Sequence, residues 1–143
     1  MSHHCSANTK ITTREDFSYV CRATAAIKKG EEIVTSYHHY HYQLYGTDYR
    51  RNDLKSTWSF DCLCARCKDP TENGTLVSAV ICDKCKFGNC LPKVSIDRAS
   101  NWICDHCKGE TPSATVAEKV KKFEIEIDEV KVRTRVAHTY RAC

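Results

Sequence analysis

No apolar run in the sequence approaches the roughly 20 residues needed to cross a bilayer, so no membrane span is predicted. The start of the chain also lacks the basic and then apolar stretches of a secretory signal, which favours a reducing compartment for its thiols. Lys and Arg are too dispersed to form a nuclear signal. The expected location is therefore the cytoplasm, the nucleus or both.

A marked excess of one charge is missing as well. The formal net charge of +4 counts every cysteine as neutral. If eight of the cysteines bound two zinc ions as thiolates, the net charge would become zero. The cysteine-rich region contains the basic residues Lys84, Lys86, Lys93 and Arg98. They are interleaved with Asp83, Asp97 and Asp105, which is typical of a solvated face. Nucleic acid is therefore not the expected partner, although a zinc ribbon can bind it.

Cysteine, in contrast, is abundant: the chain has 11, and most are grouped at short spacings. Such grouping in a reducing compartment favours metal binding over disulfides. The stretch FDCLCARC places Cys62, Cys64 and Cys67 in a C-x-C-x-x-C array. Because structural zinc takes four ligands in a tetrahedron, this array needs a fourth ligand from elsewhere.

A second group of cysteines forms a frame that is complete by itself. CDKC and CDHC give a C-x2-C-x18-C-x2-C spacing, which is typical of a two-knuckle zinc site. Its members are Cys82, Cys85, Cys104 and Cys107. Buried free thiols and redox-active pairs are the alternatives, and structural zinc is favoured over both. Cys90, between the two knuckles, is a candidate for a spare or substitute ligand, whereas Cys21 and Cys143 have no predicted partner.

The region before these cysteines predicts short strands and one helix. Residues 7–14 and 16–23 favour a β-hairpin, because β-favouring side chains occur in both. A Lys-Lys-Gly turn then precedes a strand over residues 32–36. Residues 47–58 contain neither glycine nor proline and start with a threonine of the capping type, which predicts a helix.

Two further segments allow alternatives. Residues 114–131 have an apolar stripe that predicts a helix, while the alternating FEIEI within them favours a strand; the longer pattern favours the helix. YHHYHY brings His38, His39 and His41 close together. A strand would place only His39 and His41 on one face, so an exposed polar-aromatic loop is favoured over a metal site.

Three separated stretches, SHHCSAN, GEEIVTSY and FDCLCARC, resemble in order and spacing the C-terminal part of a SET domain and its post-SET cysteines. More narrowly, they resemble the SMYD family of SET and MYND domain proteins, and CARCKDPTENGTLVSAVICDKC resembles its arthropod SmydA branch. The resemblance covers Met1 to about Cys107. It implies an α+β fold stabilised by zinc: a partial SET fold of short antiparallel strands, a post-SET zinc site, a zinc-knuckle region and a C-terminal helix.

The same resemblance implies roles for individual residues. Cys5 matches the residue that supplies the fourth ligand of the post-SET zinc, and His3 matches a contact to S-adenosylmethionine. Ser2 stands where the family has the asparagine that shares this contact. Tyr37 matches the tyrosine beside the reacting centre, and Phe60 matches the aromatic residue against the cofactor.

The expected organisation has four parts. Residues 1–58 form the C-terminal part of a SET domain, 59–70 the post-SET motif, 71–110 the knuckle region, and 111–143 a helix and tail. The resemblance implies an internal piece of a protein-lysine methyltransferase that uses S-adenosylmethionine, holds two zinc ions and acts on a protein substrate. The alternative is a non-catalytic zinc-binding module that contacts other proteins. The oligomeric state is not predicted.

Overall fold

Short strands form most of the regular structure. The computed structural model describes residues 1–38 and 44–123. The described ranges contain eight strands of two to five residues, two helices whose bounds are given below, and a helical segment over residues 113–123. This mixture confirms the predicted α+β class. No helix in the described ranges is both long and apolar enough to span a bilayer.

The contacts between residues divide the chain into two units. The first consists of Met1–Ala79 and Lys93–Arg98, and the second of Val80–Pro92 and the chain from Ala99 onwards. Each unit contains one of the two predicted cysteine groups.

The first unit contains four strands. Strand β2 (Thr9–Thr13) pairs antiparallel with β3 (Tyr19–Ala23), which confirms the hairpin. Strand β1 (Ser2–His3) pairs parallel with β4 (Val34–Thr35), which lies inside the strand predicted over residues 32–36. Strand β1 was not predicted, because two residues are too few for an alternating pattern to be visible. Gly30, in the turn before β4, has the positive φ of +86° that its turn requires.

Helix α1 (Thr47–Trp58) has the predicted bounds, but its N-cap is Gly46 and not Thr47. The expected capping role of Thr47 is therefore wrong. The reason is that Thr47 is already bonded elsewhere: its N–H donates to Glu72 at 3.1 Å, and its hydroxyl accepts from Arg50 at 3.0 Å. A tertiary contact thus replaces the local cap.

The core of the first unit lies between α1 and the post-SET cysteines. Leu54 of α1 is fully buried against Cys5, Cys62 and Cys67. A short helix α2 (Ala65–Lys68) follows Cys64 and carries Cys67. The core of this unit is therefore built largely of the residues that also form its candidate metal site.

The second unit is an antiparallel sheet in the order β5-β6-β7-β8. Its strands are Val80–Ile81, Asn89–Pro92, Trp102–Cys104 and Glu110–Thr111. Three buried cysteines form its small core: Cys82, Cys90 and Cys104. With so little apolar surface buried, a sheet of this size needs another source of stability, and a bound metal is the usual one.

Two predictions fall partly outside the described ranges. Residues 113–123 are helical, in agreement with the predicted C-terminal helix, whose remaining residues 124–131 are not described. His39 and His41 of YHHYHY also lie outside the described residues. His38 is buried and bonds Asp53, with 2.8 Å between Nδ1 and the carboxylate oxygen.

Candidate metal centres and an adjoining aromatic cluster

The first cysteine tetrad is assembled from two distant stretches of the chain. Cys5, just after β1, meets Cys62, Cys64 and Cys67, and all four sulfurs lie within 4.8 Å of one another. The Cys5 sulfur is 3.5 Å from that of Cys67 and 3.9 Å from that of Cys62. A tetrahedron with Zn–S bonds of about 2.3 Å has sulfurs about 3.8 Å apart. These four residues therefore fit zinc, and Cys5 stands where the incomplete array needs its fourth ligand.

The second tetrad is drawn from two adjacent knuckles. Cys82, Cys85, Cys104 and Cys107 also have their sulfurs within 4.8 Å of one another. The Cys82–Cys107 and Cys85–Cys104 sulfur pairs are each separated by 3.7 Å. This group meets the same tetrahedral requirement. The described residues thus contain two groups of four thiols that could hold zinc.

The two knuckles have nearly the same backbone. Lys86 donates its N–H to the Cys82 carbonyl at 2.9 Å, and Lys108 donates to Cys104 at 3.2 Å. Both lysines have positive φ, 63° and 59°. Gly88 completes the first knuckle, where a Cβ would clash with the Cys104 sulfur. The repeated turn aims backbone N–H groups at the sulfurs, as a thiolate requires.

Hydrogen bonds favour the thiolate form of Cys64 in the first tetrad and of both Cys82 and Cys85 in the second. The thiols of Cys5 and Cys62 donate to Cys64 and hold its pKa far below the ordinary range. The backbone N–H groups of Cys85 and Lys84 lower the pKa of Cys82 to about 6. A metal ion must displace the protons that remain on the other thiols, so binding at both tetrads will depend on pH.

A buried ion pair lies behind the first tetrad. The Arg50 guanidinium is 2.5 Å from the Glu72 carboxylate and 3.8 Å from the Cys67 sulfur, and both charged side chains are almost fully buried. Burial opposes the ionisation of Glu72, but hydrogen bonds from Ser78 and Arg50 outweigh it and lower its pKa. The pair places a cation beside the four cysteines of the first tetrad. Nothing in the loop sequence DPTENG distinguished Glu72 as a buried residue.

Aromatic side chains cluster next to the first tetrad. The His3 ring lies 5.3 Å from Tyr37 and 5.8 Å from Phe60 between centroids, and Tyr37 lies 4.7 Å from Trp58. We call His3, Tyr37, Trp58 and Phe60 the aromatic cluster. It brings together three residues singled out in the sequence and adds Trp58, which was expected only as part of α1. Ser2, the remaining candidate, lies exposed on β1 beside His3.

His3 joins the aromatic cluster to the first tetrad. Its Nδ1 accepts the Tyr37 N–H at 3.0 Å, so the ring proton lies on Nε2, which faces the Cys5 sulfur at 3.3 Å. Burial, helped by the neighbouring His38, lowers the pKa of His3 to about 4, which keeps the ring neutral. His3 therefore donates to the Cys5 sulfur and does not offer a lone pair to a metal.

This tautomer also bears on a third group of metal-type side chains. His3, Cys5 and His38 lie within 4.8 Å of one another by their ligand atoms. Since His3 Nε2 carries a proton, only two of the three can act as ligands. We therefore assign His3 to the surroundings of the first tetrad and not to a separate metal site.

The known proteins similar to this chain are SET-domain proteins. The chain is 36% identical over 120 residues to the SET domain-containing protein SmydA-8, isoform A, of Drosophila melanogaster, which is 82% of this chain and 25% of that protein. It is 32% identical over 71 residues to the histone-lysine N-methyltransferase SET5 of Candida albicans, 48% of this chain and 14% of that protein. It is 31% identical over 88 residues to the human protein-lysine N-methyltransferase SMYD4, 59% of this chain and 11% of that protein. No protein-family model matches the chain.

These similarities and the cysteine-rich α+β structure define a SET-domain protein. Within that class, the chain belongs to the SMYD family, as the order of its three sequence motifs predicted. The chain spans about a quarter of the length of the SmydA-8 isoforms that it matches.

Proposed function

We propose that this chain forms part of a protein-lysine methyltransferase that uses S-adenosylmethionine and binds zinc at both cysteine tetrads. Two of the similar proteins bear the names histone-lysine and protein-lysine N-methyltransferase, which supports this reaction class. The observation that carries the proposal is the His3 bridge. It ties the candidate catalytic residue Tyr37 to a candidate zinc ligand through one neutral ring.

Methyl transfer to lysine is an in-line displacement, for which S-adenosylmethionine supplies the activated methyl group. The protein must hold a neutral amine in line with that group and keep water away. Tyr37 suits this task because its backbone is fixed by His3 and its hydroxyl donates to the Met1 carbonyl at 2.7 Å. The rings of Trp58 and Phe60 pack against Tyr37, at centroid distances of 4.7 and 6.2 Å.

The first tetrad stabilises both sides of the aromatic cluster. His3 lies two residues before Cys5, and Phe60 lies two residues before Cys62. Zinc bound to both cysteines would therefore fix the backbone next to each ring. Zinc in this proposal does not take part in the reaction; it sets the distance between His3 and Phe60.

The cofactor residues fit this proposal with one refinement. Both ring nitrogens of His3 already have partners, so its side chain would meet S-adenosylmethionine through a ring face or its backbone would make the contact. Phe60 is half-buried and retains an accessible face for a cofactor ring. Ser2 is exposed and accessible to a ligand. The proposed substrate is a protein lysine, in the cytoplasm, the nucleus or both.

Calorimetry with S-adenosylmethionine tests the proposal on the zinc-loaded chain. We expect binding that Phe60→Ala weakens about tenfold or more, because a buried aromatic ring contributes about 1.5 kcal/mol or more. Phe87→Ala is the matched control, since Phe87 is 86% exposed in the second unit and should leave the affinity unchanged. Absence of binding at millimolar cofactor would contradict the proposal and favour a non-catalytic zinc-binding module that contacts other proteins.

A further inference from the structure

A fifth cysteine lies against the second tetrad. Cys90 is 2% exposed and belongs to the same buried group as Cys82 and Cys104. We propose that Cys90 is a reserve zinc ligand, which replaces Cys107 when the Cys107 thiol is blocked. This inference rests on zinc binding at the second tetrad and is independent of methyl transfer.

The sheet register brings Cys90 within reach of the metal position. Cys90 on β6 is paired directly with Cys104 on β7. Cross-strand partners have their Cβ atoms about 4.5–5.5 Å apart and project to the same face of the sheet. Cys82 interacts with the Cys90 side chain from the neighbouring knuckle. The Cys90 side chain therefore packs beside two ligands of the proposed ion, Cys82 and Cys104.

The four primary ligands differ in their accessibility. Cys107 is exposed, whereas Cys82 and Cys104 are buried and Cys85 is half-buried. A thiol-reactive agent in solvent will consequently meet Cys107 first. The loss of this sulfur would leave zinc with three sulfur ligands and one open coordination position.

The exchange conserves charge and coordination number. The Cys107 sulfur leaves the metal as its bond to an alkylating group forms, and the alkylating agent loses its own leaving group. Cys90 releases its thiol proton to solvent and binds as a thiolate. The ion again has four thiolate ligands, and no oxidant or reductant is needed.

The simpler role for Cys90 is that of a small buried apolar residue. Valine fills a similar apolar position but provides no ligand, so Cys90→Val separates the two roles. By itself this substitution should leave both tetrads intact. Only in combination with the loss of Cys107 does the reserve-ligand role predict a further effect.

The test is NMR of the cadmium-substituted full chain, in which each site gives a separate signal whose position reports the number of sulfur ligands. We expect four-sulfur signals from both sites in the wild type, in Cys90→Val and in Cys107→Ser. Cys107→Ser combined with Cys90→Val should shift the second signal to a three-sulfur position. A three-sulfur signal in Cys107→Ser alone would overturn the proposal.

Alkylation provides a second measurement that does not depend on the folding of a serine variant. Zinc-loaded wild type treated with iodoacetamide should keep two zinc ions by native mass spectrometry, whereas treated Cys90→Val should keep one. Equal zinc loss from both would overturn the proposal. If the cadmium-substituted wild type gives no second four-sulfur signal, both the reserve-ligand proposal and zinc binding at the second tetrad are overturned. Absence of S-adenosylmethionine binding, in contrast, would overturn only the proposed methyl transfer.

Discussion

The two cysteine tetrads have similar geometry but are built from very different lengths of chain. Cys5 and Cys62 are 57 residues apart, whereas Cys82 and Cys107 are 25 apart. Closing the longer loop costs only about 0.7 kcal/mol more in chain entropy, because the cost grows with the logarithm of length. The loop entropy therefore does not distinguish the sites. What differs is the structure that each tetrad holds in place.

The first tetrad adjoins the aromatic cluster, whereas the second lies within its own sheet. His3 and Phe60 flank ligands of the first tetrad and contact Tyr37. The second tetrad is surrounded by two similar turns whose backbone N–H groups face its sulfurs. The groups that stabilise negative charge on the sulfurs also differ. The Arg50 guanidinium lies beside the first tetrad, whereas backbone hydrogen bonds favour the Cys82 thiolate in the second.

The largest expected effect comes from removing one ligand from each tetrad in turn. Structural zinc contributes on the order of 10 kcal/mol to small zinc domains, so Cys5→Ser, and Cys104→Ser in a Cys90→Val background that lacks the reserve ligand, should each lower the zinc count from two to one. Only Cys5→Ser should also disorder the aromatic cluster. In a Trp102→Phe background, Trp58 emission would report this change, because the Trp58 and Tyr37 ring centroids are 4.7 Å apart within the first unit.

Metal analysis and tryptophan fluorescence on the same samples check this prediction. Equal fluorescence changes in the two variants would contradict the distinction drawn between the tetrads. A Cys5→Ser protein that still holds two zinc ions would contradict the assignment of Cys5 as a ligand.

The next effect concerns the buried ion pair of the first unit. Arg50→Met removes the guanidinium 2.5 Å from Glu72 and leaves the buried carboxylate with only the more distant Arg66 guanidinium, at 3.8 Å, which should cost up to about 3–5 kcal/mol of unfolding free energy. Arg50→Met combined with Glu72→Gln should recover part of the loss, because the side chain that lost its nearest cation is then neutral. Urea denaturation followed by Trp58 emission measures both. A double variant less stable than Arg50→Met would contradict the charge argument.

Acid should weaken this ion pair in a defined direction. Since the folded state lowers the pKa of Glu72, its ionised form stabilises the fold fully above the carboxyl pKa of the unfolded chain. This contribution is lost as the pH falls from there through the folded-state pKa. We therefore expect the stability difference between wild type and Glu72→Gln to shrink on acidification. Urea titrations at several acidic pH values check it, and a widening difference would contradict the sign.

Local patterns predicted the second tetrad better than the surroundings of the first. Both knuckles and α1 are visible in the sequence because their defining residues are close together. The contact between Arg50 and Glu72 joins a helix to a loop 22 residues later, and no local pattern indicates it. The same contact explains the error at Thr47, whose capping capacity is used within this network. Cys5 was identified only through the family resemblance.

The smallest effect tests the bridge that gives the first tetrad its special position. His3→Ala removes a hydrogen-bond donor from the Cys5 sulfur and leaves the Tyr37 N–H without its acceptor. Loss of such an outer partner typically lowers metal affinity about 10- to 100-fold, so zinc should leave the first tetrad at a lower chelator concentration. His106→Ala is the matched control. His106 lies within the second knuckle, and among the described residues its side chain makes no hydrogen bond to a cysteine sulfur. If both variants release zinc like the wild type, His3 does not couple Tyr37 to the metal, and the two tetrads differ only in the chain that they join.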